Sequence, residues 1–482
     1  MKHRVLFSLM IIGLASFVLW IAIGDDENFP NRVHQHQQGN SESTTVLDFT
    51  EMKTDLPVIS METGGQRIPG TPIINNKDYY YQLSEQGESE IKTAFTLYQE
   101  NMEPLKLSAM IHYRGHSSRF FDKKSYALRF IDEDNNDKDT SLLGMESDNN
   151  WALHGPYLDR SLIRNYMAMN LAGEIMPFAP DVRFVEVFLD HSYEGLYLVM
   201  EKVSKGVGRV PIATPEKNSQ QTDYLVLVDR PKKMNATLDD FLMDTYKVYP
   251  SGTEINYPTN TQYTEERQQF VNQDFSFIAH SIYQIPYADE ENQYRKLLNV
   301  QAFYDYFIIN ELFRNVDAGH YSTYFYRDLR GGLTPVVWDF NNSLNNYQVI
   351  TFDASGFSLT QSIFYEQLLK DQAFVDGLIR RYHHLRKTKL QTERLQQYVD
   401  DTIDFLGEAV ERNNNRWGDV YDLNHYDQDN HLQPSERNYT SYQEAVDQVK
   451  DYLEKRGDWL DTNIDTLYQY SHPSRHSHES IK

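Results

Sequence analysis

Two aspartates stand about twenty positions apart in the stretch "NVDAGHYSTYFYRDLRGGLTPVVWDFNNS", Asn315 to Ser343. Asp317 follows an apolar, helix-spaced run and sits in a short polar loop with Asn315, His320 and Ser322. A carboxylate placed there suits a general base or an aligner that accepts the proton of a hydroxyl nucleophile. The competing reading is an ordinary turn at a helix C-terminus. Asp339 closes the apolar run Pro335-Val336-Val337-Trp338 and is followed by Phe340, Asn341 and Asn342. That is the setting of a hard-cation ligand, because magnesium takes oxygen ligands and is commonly held by one or two carboxylates plus substrate phosphates. An Asx-turn at a strand end is the alternative.

Two further stretches could serve the same chemistry. "YRGHSSRFFDKKSYALRF" places Gly115, Ser117 and Ser118 in a turn flanked by Arg114, Arg119, Lys123 and Lys124. Backbone N–H groups, hydroxyls and cations of this kind hold phosphate oxygens, although a single glycine is a poor match to a GxGxxG loop and a solvated hairpin would look similar. In "LVMEKVSKGVGRV", Glu201 and Lys202 close an apolar strand, where a chain passing between lobes could offer backbone groups to a base.

These residues must be positioned by a chain of 482 residues, long enough for two or three domains or one large bilobal unit. "LKLSAMIHYRG" and "KKSYALRFI" alternate in polarity and predict a β-hairpin. Leu162, Ile163, Tyr166, Met167 and Leu171 predict a helix that Asp159 can cap and Pro177 ends. "RFVEVFLDHSYEGLYLVMEKV" reads as two strands around a turn at Asp190 to Gly195, and "TDYLVLVDR" as one more. Tyr304, Ile308 and Leu312 mark a helix before the aspartate pair, and helical patterns resume from about Gln361 to Tyr468. The expectation is an α+β protein with a strand-rich lobe over 61–230 and a helix-rich lobe over 231–470, ending in a polar, disordered tail over 471–482.

The N-terminus has its own character. Val5 to Gly24 carries no charge and is long enough to span a bilayer. Lys2 and Arg4 precede it and Asp25, Asp26 and Glu27 follow, which puts the body outside the cytoplasm. A signal peptide cut near Ala22-Ile23-Gly24 competes with an uncleaved anchor over 1–24. Residues 25–60 read as a polar linker. The net charge of -24 argues against nucleic acid and favours a basic peptide or a cation, and the lack of cysteine excludes disulfides, thiolate zinc sites and thiol nucleophiles.

The order of parts matches a protein-kinase fold, in which a catalytic-loop aspartate precedes a hairpin ending in a metal-binding Asp-Phe. The stretches "RGHSSRFFDKKSYALRF", "LLGMESDNNWALHGPYLDRSLIRNYMAMNLAGEIM", "RFVEVFLDHSYEGLYLVMEKV", "NELFRNVDAGHYSTYFYRD" and "PVVWDFNNSLNN" also resemble the spore coat protein H (CotH) kinases, in the family's order. That resemblance implies an atypical bilobal kinase using ATP and Mg²⁺ or Mn²⁺ to phosphorylate serine in a protein substrate. It assigns Asp317 to the catalytic loop, Asp339 to the metal and Arg114 to Arg119 to the phosphate side. It also leaves Lys123 or Lys124 to contact the nucleotide, with Lys123 preferred, and Glu174, Arg164 or Asn165 as that lysine's helix partner. The pattern is broken where a kinase catalytic loop carries a metal-binding Asn five positions after its Asp. Ser322 stands there, so Asn341 or Asn342 would take that place. The rivals are a non-catalytic surface protein on a kinase-like fold and a carboxylate-pair glycosidase, which would need its carboxyl groups about 5–9.5 Å apart around a sugar cleft.

Overall fold

In the computed structural model the described residues are 32–38, 45–75, 78–230, 252–284 and 294–471. Seven strands close into a barrel: β1 (Val58–Glu62), β4 (Ile91–Tyr98), β5 (Leu105–Tyr113), β6 (Tyr126–Ile131), β7 (Asn150–His154), β9 (Ser192–Glu201) and β8 (Val182–Leu189), in that spatial order. Neighbours pair antiparallel except at the closure, where Val58 lies parallel to Glu186. Alternation explains the barrel, since successive strand residues face opposite sides. Phe95, Ile111, Leu128, Phe130, Trp151, Leu153, Val185 and Val199 fill its interior, while Phe184, Leu196, Leu198 and Met200 face outward into the main core. Asp190 and His191, both at positive φ, make the tight β8–β9 turn. A separate hairpin, β2 (Pro72–Asn75) and β3 (Asp78–Tyr81), branches off the barrel wall.

Helix α1 (Arg164–Gly173) is buried along its length, and Asp159 Oδ2 accepts the Arg164 N–H at 2.9 Å, the cap its sequence position suggested. It packs between β8 and helix α3 (Val300–Leu312), whose residues from Ala302 to Leu312 are all buried, as expected of an interior helix apolar on every face. Helices α4 (Gln372–Arg386) and α7 (Tyr442–Asn463) pack against α3, α5 (Thr392–Leu406) packs on α7, α6 (Glu408–Trp417) packs on β9 of the barrel, and α2 (Glu265–Tyr283) adds Val271, Phe275 and Ile278 to the same core. Between barrel and helices runs a second sheet in the order β11 (Gly252–Tyr257), β10 (Tyr224–Asp229), β12 (Thr323–Arg327), β13 (Leu333–Val336). Pro335 is tolerated because β13 is the edge.

This architecture corrects the expected fold and localisation. The strands form a closed barrel plus a separate sheet that draws its strands from both sides of position 230, rather than one strand-rich lobe over 61–230. The anticipated transmembrane segment over 1–24 lies outside the described residues, and among the described residues no helix is long and apolar enough to cross a membrane. The structure thus gives no support to a single-pass membrane-anchored protein. Part of the expected 25–60 linker is docked: Gln35 pairs through its amide with the backbone N–H and C=O of Phe184 (2.6 and 3.1 Å), and His34 and His36 are buried against Tyr398 and Tyr166.

Candidate active site

The antiparallel pairing of β10, β12 and β13 brings three chain segments to one end of the second sheet. β10 ends there at Asp229, the loop carrying Asp317 leads there into β12, and β13 leaves there through Trp338 to Asp339. Facing them across a cleft of about 710 Å³ is the 114–119 turn at the end of barrel strand β5. The cleft is lined by Arg114, Ser117, Ser118, Arg119, Asp317, Asp339 and Asn341 together, with Asp229, Arg230, Ser322 and Asn342. The hairpin explains the spacing of the aspartates, for its two open ends lie side by side however long its turn is.

The turns are built tightly. Gly115 has φ +99, and a side chain there would strike Ser118, whose hydroxyl donates to Arg114 O at 3.2 Å. Gly319 has φ +77 and lies against Ser362, seating the Asp317 loop on the helical half. Ser322 and Asp339 are themselves left-handed (φ 50 and 54), a strained arrangement typical of functional loops.

Asp317 Oδ2 accepts from Asn342 Nδ2 at 2.6 Å, and Asp339 Oδ1 accepts from Asn341 Nδ2 at 2.7 Å. Burial raises the Asp317 carboxyl to about 6, and the Asp339 charge adds to the rise. Burial raises Asp339 as well, opposed chiefly by Arg114. Asn165 holds the Asp339 corner from α1: its Oδ1 accepts the Phe340 N–H at 2.8 Å and its Nδ2 donates to Asn341 Oδ1 at 2.6 Å. Arg164 points elsewhere, pairing with Asp159 inside the core. Arg114 lies over the Trp338 ring at 5.6 Å, and Arg119 stacks on Tyr81 at 3.7 Å.

Among the described residues no three His, Cys, Asp or Glu converge as a protein-only metal cage. The donor chemistry nevertheless fits a hard cation that retains other ligands. Two half-buried carboxylates with raised affinity for protons are stabilised by neutral amides, and neither joins an ion pair among the described residues.

Three residues expected on the nucleotide side, and the helix-partner candidate Glu174, lie elsewhere. Lys123 is buried, donating to Leu196 O at 2.7 Å and Asn413 Oδ1 at 2.8 Å, over the Tyr197 ring. Burial holds its ammonium well below the usual lysine range. It pins α6 to β9 and does not line the cleft. Lys124 donates to the carbonyls of Arg119 and Phe121, stapling the 114–121 loop from behind. Glu201 accepts the Asp181 N–H at 2.8 Å, and burial pushes it up to about 7. Glu174 pairs with His34 and Arg394, far from any lysine role. Replacing Lys123 with Met is therefore expected to cost about 1–3 kcal/mol of stability by removing the side-chain donor to Leu196 O, although Asn413 Oδ1 keeps the Leu196 N–H at 3.1 Å, while leaving the cleft and any reaction in it unaffected. Thermal melts and steady-state kinetics on the same preparation check both halves.

Asp229 and Arg230 escaped the sequence reading, although Asp229 carries the signal that identified Asp339, an apolar strand closed by an aspartate. Arg230 lies over the Tyr321 ring at 4.1 Å and steadies the Asp317 loop.

Comparison with known proteins gives the family of the chain. Residues 111–460 match the family model described as CotH kinase protein. Inner spore coat protein H of Bacillus subtilis (strain 168) is 25% identical over 237 residues, 49% of this chain and 59% of that protein, so the match spans less than two thirds of the relative. A family match that takes in the barrel from the end of β5 onward, the cleft and nearly all of the helical half shows that this chain belongs to the CotH kinase protein family.

Proposed function

We propose that this chain transfers the terminal phosphoryl group of ATP to a serine hydroxyl of a protein, using a divalent cation. The observation that carries the reading is the pair of carboxylates, Asp317 and Asp339, without ion-pair partners among the described residues, facing an arginine- and serine-bearing turn across one cleft. Bound at Asp339, with Asn341 beside it, Mg²⁺ or Mn²⁺ would neutralise phosphate charge. Asp317, oriented by Asn342, accepts or aligns the acceptor's hydroxyl proton. Arg114 and the Ser117–Ser118 turn supply donors to phosphate oxygens. Asn165 keeps Asn341 and the Phe340 amide in register, the kind of positioning on which phosphoryl transfer depends. The chain's -24 net charge would favour a lysine- and serine-rich acceptor.

The test is transfer of label from terminally labelled ATP to such a peptide by the full-length chain, with Mg²⁺ or Mn²⁺ and with chelator. No metal-dependent label in any acceptor or in the chain itself would sink the reading. Because Asp317 must be unprotonated to take a proton, activity should fall as pH drops through about 6. A flat rate from pH 5 to 8 would remove Asp317 from the role of base.

A further inference from the structure

Hairpin β2–β3 stands at one end of the cleft, and its base is stitched to the rim. Pro69 O accepts the Tyr113 N–H at 2.8 Å, just before the 114–119 turn, and Arg119 Nη1 donates to Gly70 O at 3.3 Å. Tyr81 lines the cleft and carries the Arg119 guanidinium on its ring. Beyond that base the hairpin is a two-stranded sheet with which no other strand pairs among the described residues. Two strands alone are marginal in water, yet this pair displays Ile74 at 69% and Tyr80 at 54% exposure. The register sorts the two. Tyr81 pairs with Pro72, two residues from Ile74, so Ile74 shares the face that meets the cleft. Tyr80 pairs with Ile73 and stands on the opposite face.

The 114–119 turn has two ends. Arg114 marks the Asp339 end, lying over Trp338 and opposing the burial that raises the Asp339 carboxyl. Arg119 marks the other. Burial lowers the His116 imidazole between them, and the Arg230 and Arg119 charges lower it further, so Arg119 shares its surroundings with the cation that steadies the Asp317 loop. A polypeptide that brings its hydroxyl to Asp317, while phosphates and cation occupy the Arg114 end, has the Arg119–Tyr81 end as its way out. We infer that the Ile74–Tyr81 face of the hairpin docks the acceptor polypeptide, an extended segment that leaves the cleft over Tyr81 and seats an aliphatic or aromatic side chain on Ile74. The open strand edges offer backbone partners to such a segment. The inference rests on the phosphoryl-transfer reading and adds what the acceptor must carry besides its serine. Ile74 stands two strand positions, roughly 7 Å, outward of the Pro72–Tyr81 pair, which puts the apolar residue two or more positions from the serine.

The probes are lysine-containing peptides with a single serine, in which one leucine is moved through the positions on either side of it. Full-length wild type, Ile74→Ser and Tyr80→Ser, each checked by thermal melting, are compared for transfer from labelled ATP and for peptide binding without ATP by fluorescence anisotropy. The expected result is a leucine position, two or more residues from the serine, that lowers the wild-type KM for peptide about three- to tenfold. Ile74→Ser should lose that gain and Tyr80→Ser keep it, with the KM for ATP the same in all three. If no leucine position matters, or if both substitutions abolish the gain alike, the inference is overturned and the transfer reading stands. Leucine-dependent, Ile74-dependent binding by a chain that transfers no label would do the reverse. Absence of both transfer and leucine-dependent binding would overturn the inference. So would sedimentation showing that wild type dimerises and Ile74→Ser does not, which would give this face to a second copy of the chain.

Discussion

Asp339→Asn should lower phosphoryl transfer by about 10²–10³-fold while leaving the melting temperature unchanged or slightly higher. Asparagine is the conservative choice because position 339 sits at φ 54, which Asn tolerates and a bulkier residue would not. The shape of the corner, with its Asn315 and Asn341 contacts, is kept and only the charge is lost. Stability should not suffer, because burial already disfavours the ionised carboxyl. The same logic gives the cation effect its pH dependence. Asp317, raised to about 6, stabilises the fold relative to the unfolded chain below the ordinary carboxylate range, and that contribution is lost as pH rises through about 6. A divalent cation should therefore raise the wild-type melting temperature more at pH 7.5 than at pH 5, and should do little to Asp339→Asn. Labelled-ATP assays and calorimetric melts with and without Mg²⁺ or Mn²⁺ decide it. A variant that keeps half of the wild-type rate would show that Asp339 is not the metal ligand.

Arg164→Met should carry the largest cost to the fold, about 3–5 kcal/mol. Arg164 is fully buried at the first turn of α1. Its guanidinium pairs with Asp159, reaches Ser343 O at 3.2 Å and Gln448 Oε1 at 2.7 Å, and so ties α1 to the Asn341–Ser343 turn and to α7. Methionine fills much of the volume but leaves the Asp159 carboxylate buried without its cation. Because Asn165 is the next residue, slackening this turn should also reduce turnover at temperatures where the variant is still folded. Denaturant unfolding gives the cost. Adding Asp159→Asn to Arg164→Met should recover part of it, since the orphaned charge is then gone. No recovery would mean that the loss comes from packing.

Much of this was legible in the sequence. Alternation marked the β5–β6 and β8–β9 hairpins, apolar spacing marked α1 and α3, and the apolar run into Asp339 marked one wall of the cleft. Barrel closure was not legible, because the parallel pairing of β1 with β8 leaves no local trace in either strand. The lysines failed for a different reason. Lys123 and Lys124 stand in a basic, phosphate-like run, yet the direction of each side chain depends on what packs behind it, here Asn413 of α6 for Lys123 and the loop's own carbonyls for Lys124. Asn165 entered the sequence reading only as a candidate helix partner for a lysine; its grip on Phe340 and Asn341 spans about 175 positions and belongs to the tertiary fold.

The parallel closure of the barrel also bears on how the chain reaches its native state. β1 is made early but completes its pairing only with β8, 128 positions later when Val58 is counted to Glu186. Until then the hydrogen-bonding edge of β1 away from β4 has no partner, and such an edge is a template for pairing with other chains. Contacts this distant in sequence slow folding, because loop entropy is spent before the contact is gained. The helical half, richer in local contacts, can collapse sooner. Expression conditions that slow aggregation, such as low temperature and chaperone supply, should therefore raise the yield of soluble chain more than any change confined to the cleft.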